Sequence, residues 1–141
     1  MVKSKFLLGI PVLVLVFGMS MTGHGQSLNS GAPTAAALAA GGLTQAQFNQ
    51  IRNAGAGGFQ GWQISRGSLL MVWAGRTKAN FTAVASVVAG LRGGSRIDDG
   101  DNGELFVHNN FYTLVFNTRN VSLPGGGQSP ARRLELVIKP W

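Results

Sequence analysis

Trp62-Gln63-Ile64-Ser65-Arg66-Gly67-Ser68-Leu69-Leu70-Met71-Val72-Trp73-Ala74 contains an alternating run, a two-residue break and an unbroken apolar run. A gap of two residues that includes glycine between such runs is the mark of a tight β-hairpin. Pairing Ser65 with Ser68 sets Trp62 opposite Met71 and Ile64 opposite Leu69, so four apolar side chains share one face. Leu69 to Trp73 is apolar at every position, which predicts a strand covered on both faces inside a sheet.

Upstream of this hairpin, Leu43-Thr44-Gln45-Ala46-Gln47-Phe48 carries a T-x-x-Q capping box with apolar residues at both staple positions. A helix over Gln45–Asn53 follows, with Gly55 as its stop. Downstream, Thr77 can cap a longer helix, Lys78–Leu91, whose Phe81, Val84, Ala85, Val88 and Leu91 follow the spacing of one buried face. Glu104–His108 and Phe111–Phe116 flank Asn109-Asn110, which predicts a second hairpin pairing His108 with Phe111 and placing Leu105, Val107, Tyr112 and Leu114 together. Residues 95–103 and 117–130 read as loops, the second around Leu123-Pro124-Gly125-Gly126-Gly127. A last strand, Arg132–Lys139, turns Leu134, Leu136 and Ile138 inward. The fold class expected is α+β: a five-stranded antiparallel sheet of two hairpins and a C-terminal strand, covered by one long amphipathic helix, with a short N-terminal helix. The order in which the hairpins dock is left open by these patterns.

Before residue 43 the composition changes. Lys3 and Lys5 precede a 16-residue uncharged, mostly apolar run, Phe6–Met21, and then Thr22-Gly23-His24-Gly25-Gln26. This order of basic, apolar and small residues is that of a secretory signal peptide, with cleavage expected before Gln26, or alternatively after Thr22. The run resembles a bacterial lipoprotein leader but lacks the cysteine that would carry the lipid. It is short for a spanning helix and contains Pro11, so membrane contact is expected only through an uncleaved leader. Residues 26–42, rich in Ala, Gly and Ser, read as a flexible tether, and 43–141 as the single folded domain. The localisation expected is periplasmic or extracellular.

The 141 residues include no cysteine, so disulfides, thiolate metal sites and cysteine nucleophiles are excluded. No G-x-x-x-x-G-K-[ST], H-E-x-x-H or G-x-S-x-G occurs. Once the leader is removed His108 is the only histidine, and the five acidic residues are four in one loop and Glu135. No acid–base pair is evident, and a non-catalytic binding or structural module without a cofactor is the expectation, with a small hydrolase as the third reading.

Two candidate sites arise. Asp98, Asp99, Asp101 and Glu104 alternate with glycines as calcium loops do, although the spacing departs from an EF-hand by one residue. Trp141, just past the last strand, is the aromatic most expected to be exposed, and with Arg132 and Arg133 it makes a candidate polysaccharide-binding site. A protein partner is the other expectation. The net charge of +7 falls to +5 without Lys3 and Lys5. The cations are spread through the sequence with no run longer than two, which reads as solubility and argues against a nucleic-acid reader. For an exported chain, anionic envelope polymers are the natural counter-surface.

Overall fold

The computed structural model describes residues 28–94, 97–99, 105–117, 120–122, 128–130 and 132–141. The proposed leader lies outside the described residues. The chain is α+β, and the described residues form three helices and an antiparallel sheet of six strands, besides a small two-stranded ladder. In chain order the elements are α1 (Ala35–Gly41), α2 (Gln45–Ala54), β1 (Phe59–Ser65), β2 (Ser68–Trp73), α3 (Lys78–Arg92), β3 (Ile97–Asp99), β4 (Leu105–His108), β5 (Tyr112–Asn117), β6 (Asn120–Ser122), β7 (Gln128–Pro130) and β8 (Arg133–Ile138). The main sheet runs β1-β2-β8-β5-β4-β3, and β6 and β7 form a separate two-stranded ladder.

The first hairpin has the register its sequence predicts: Ser65 faces Ser68, Ile64 faces Leu69 and Trp62 faces Met71. Both turn residues have positive φ, Arg66 at 53° and Gly67 at 79°, as a type I′ turn requires. Arginine gains nothing there, whereas asparagine tolerates the left-handed region. Arg66→Asn is therefore expected to stabilise the domain by about 0.5–1 kcal/mol, read as a higher urea midpoint at unchanged slope. β2 is buried from Leu69 to Trp73 between β1 and β8. Ile64, near the turn on an edge strand, is 42% exposed.

Four expectations require correction. The sheet has six strands, not five, because Ile97–Asp99 in the first expected loop pairs with β4. The second expected loop contains the β6–β7 ladder. The second hairpin is shifted by two residues: His108 faces Thr113, not Phe111. The cause is the Asn109 side chain, whose Oδ1 accepts from the N–H groups of Phe111 and Tyr112, while the Asn109 backbone N–H donates to Tyr112 O. This centres the turn on Asn110 and Phe111 without positive φ at either asparagine. A shift of two preserves parity, so Val107, Tyr112 and Leu114 still point into the core.

The fourth correction concerns residues 28–42, expected as a tether. Asn29 forms an antiparallel bridge with Trp62 on the free edge of β1, and the Trp62 indole N–H donates to Gly31 O at 2.9 Å. Thr34 caps α1 by accepting from Ala37 N–H. At the other end Gly42 has φ 64°, and the bonds from Gly42 N–H to Ala39 O and from Leu43 N–H to Leu38 O make a Schellman stop. An Ala-rich segment too short to be helical alone is helical here because Ala37 and Gly41 pack in the interior against β2.

The helices lie on one side of the sheet, α2 against α3 and α3 against β5. Thr44–Gln47 and Thr77–Asn80 both form complete capping boxes. The core between the layers joins Phe48, Ile51, Phe81, Val84 and Val88 of the helices to Leu69, Met71, Trp73, Leu114, Leu134, Leu136 and Ile138 of the sheet. Among the described residues no helix is long and apolar enough to cross a membrane.

Candidate functional site

Of the three tryptophans, two are core residues. Trp62 and Trp73 are buried and their indole N–H groups donate to Gly31 O and Arg52 O. Trp141 is 71% exposed. Its ring lies against Phe111, with centroids 4.7 Å apart and planes tilted by 42°, a spacing at which aromatic pairs attract.

The pair is held by the ends of several elements. Lys139 N–H donates to Phe111 O, continuing the β5–β8 ladder past the strand end. Arg92, the last residue of α3, is buried, and its guanidinium donates to Lys139 O at 3.0 Å, Leu91 O at 3.2 Å, Gly41 O at 2.8 Å and Gly42 O at 2.9 Å. Asn109 Nδ2 in turn donates to Arg92 O. Burial lowers the Arg92 pKa from its ordinary value because the charged form is desolvated. The four carbonyls supply the compensating negative ends. One arginine thus ties the C-terminal ends of α1 and α3 to the segment that carries Trp141.

Beside Phe111 is a shallow cleft of about 190 Å³ lined by Ser68, Asn109–Thr113 and Val137–Lys139. An exposed tryptophan backed by a half-buried phenylalanine, next to asparagine amides, hydroxyls and a lysine, offers an apolar plate and a hydrogen-bonding rim together. Such a surface suits a sugar ring, which has an apolar face and a polar edge.

The fold separates Trp141 from Arg132 and Arg133, which the sequence placed with it. Five residue steps of β8, about 17 Å of strand, lie between Arg133 and Ile138. Arg133 sits opposite Asn117 and pairs with Glu135, while Arg132 is exposed and its carbonyl accepts from Arg76 N–H. Arg132 and Arg133 do not stand at that end; Lys139 and Asn109 do, over the buried Arg92. Sequence reasoning missed Phe111, Asn109 and Arg92. The available signals were an aromatic inside the Asn-Asn turn and a cation in the last turn of α3 before Gly93-Gly94.

Of the calcium candidates, Asp98 faces Phe106 across the β3–β4 ladder, and Asp99 faces Leu105. Asp101 and Glu104 lie outside the described residues. Asp98 Oδ2 is 3.5 Å from His108 Nε2, an ion pair only when the imidazole is protonated, and the two side chains are 29% and 58% exposed. Thr113 is the neighbour of His108 on β5. Among the described residues no three His, Asp or Glu side chains gather to hold a metal.

No protein-family model, no curated protein and no solved structure matches the chain. Its function is therefore read from its own residues.

Proposed function

We propose that the chain is a small non-catalytic binding module that acts outside the cytoplasm, exported by the leader at residues 1–25. The exposed Trp141, stacked on Phe111 beside the Asn109–Lys139 cleft, supports this reading. The same observation favours one ligand class, a cell-envelope or extracellular polysaccharide with Trp141 against a sugar face.

Affinity electrophoresis of the 26–141 chain through gels containing neutral polysaccharides tests the reading, with thermal unfolding in parallel, since a ligand bound only by the folded state raises the midpoint. Retardation by at least one glycan is expected, and Trp141→Ala is expected to weaken it at least tenfold while leaving the ligand-free midpoint within a few degrees. A glycan that retards the Trp141→Ala variant equally would remove the platform from the site. A stable domain that no glycan retards would leave the protein-partner or structural role in its place.

A further inference from the structure

Arg52, the neighbouring Arg76 and Lys78, and Arg132 come from three separate parts of the sequence, and the fold brings them to one end of the sheet. Arg76 N–H donates to Arg132 O at 3.0 Å. The Arg76 guanidinium reaches the C-terminal end of α2, donating to Gly55 O at 3.2 Å and Ala56 O at 2.8 Å. Arg52 is in the last turn of that helix, with its carbonyl on the Trp73 indole. Lys78 opens α3 two residues beyond Arg76. Lys78 and Arg132 are exposed, and Arg52 and Arg76 are half-buried.

Three of the five acids, Asp98, Asp99 and Glu135, are among the described residues. Among the described residues none of these four cations pairs with a carboxylate, and Glu135 is taken by Arg133. Asp98 and Asp99 lie on β3, at the far edge of the sheet. Three strand spacings separate β3 from β8 and four separate it from β2, about 14 and 19 Å. Both exceed the screening length of about 8 Å at physiological salt, so these acids do not cancel the positive end as a partner meets it.

We propose that this end of the domain is a docking surface for a linear anionic polysaccharide whose phosphate, sulfate or carboxylate groups recur along its chain. Three of the four cations are arginines, whose planar forks suit such oxyanions. The exposed large apolar side chains among the described residues are Ile64, Ile97, Val137 and Trp141. None of them stands at this end to stack a base, which favours a saccharide over single-stranded nucleic acid. The surface is independent of the Trp141 platform and does not require it.

The test compares retention of the 26–141 chain on dextran sulfate, alginate, unmodified dextran and duplex DNA. Two variants of equal charge change are used: Lys78→Glu with Arg132→Asn, and, as a control away from that end, Arg66→Asn with Gln45→Glu and Ala46→Glu in the first turn of α2. Arg132 and Arg66 both have positive φ, 36° and 53°, so asparagine suits each backbone, and Glu at the start of α3 is favourable to the helix. Expected are binding to dextran sulfate or alginate that weakens roughly tenfold or more between 50 and 200 mM salt, and no binding to dextran. The Lys78/Arg132 variant is expected to lose at least about tenfold at low salt, and the control less than about threefold. Equal losses would reduce the effect to net charge and overturn the surface. Failure of both anionic polysaccharides to bind, or tighter binding of DNA, would overturn it as well. The Lys78/Arg132 variant, run through the neutral-glycan gels alongside, is expected to be retarded as the parent chain is, which separates this surface from the platform.

Discussion

Replacing Arg92 with methionine is expected to destabilise the domain by about 3–5 kcal/mol, measured by urea unfolding. The substitution keeps much of the apolar stem but removes a fork that serves carbonyls of Gly41, Gly42, Leu91 and Lys139. Arg92 is only 4% exposed, so water does not readily replace the lost donors. A cation on an open surface would cost within about 0.5 kcal/mol when removed. Arg92→Lys is expected to lose most of the same stability, because a single ammonium cannot span the carbonyls that the planar fork reaches. Although burial lowers its pKa, a guanidinium stays charged in folded and unfolded chains through the neutral range. Its contribution therefore carries no pH slope, and the loss is expected to be equal at pH 5 and pH 9. A loss below about 1 kcal/mol would show that these carbonyls find other donors.

Gly55→Ala is expected to cost about 3 kcal/mol for a different reason. The backbone there has φ −73° and ψ −5°, which alanine adopts without strain. The obstacle is space: an added Cβ would lie 2.3 Å from Trp73 Nε1 and 2.5 Å from its Cδ1. Trp73 cannot withdraw, since it is fully buried, packs edge-on to Phe59 at 5.4 Å and donates to Arg52 O at 3.1 Å. In a double-mutant cycle, Trp73→Phe is expected to absorb a large part of the Gly55→Ala penalty, because the smaller ring vacates the Cβ position. Independent, additive effects would show that crowding by the indole is not the cause.

Much of the local structure was legible in the sequence. Arg66-Gly67 fixed the first register because only a two-residue turn sets both Trp62 and Ile64 opposite apolar partners. In the second hairpin, alternation told which residues face inward but not the register, because a slip of two leaves the pattern unchanged and the Asn109 side chain decides between them. Strand order was not legible: Leu134, Leu136 and Ile138 alternate with Glu135 and Val137 in a pattern equally suited to an edge, and no local signal says that β8 lies between β2 and β5. The candidate site was half legible. Trp141 is exposed as its position suggested, but residues adjacent in a β-strand's sequence span its length, which removed Arg132 and Arg133 from it. The gathering of Arg52, Arg76, Lys78 and Arg132 depends wholly on tertiary structure. A search for runs of charge passes over it.

The central place of β8 also bears on the order of assembly. Leu69 pairs with Ile138 and Trp73 with Leu134, so the sheet closes over about sixty to seventy residues of intervening chain, the kind of distant pairing that slows folding. Until Arg133 onward is available, β2 and β5 are open edges and the two hairpins have no shared ladder. A nascent chain lacking that segment cannot complete its core. The same interval exposes two unpaired edges to other copies of the chain, and one strand, β8, covers both.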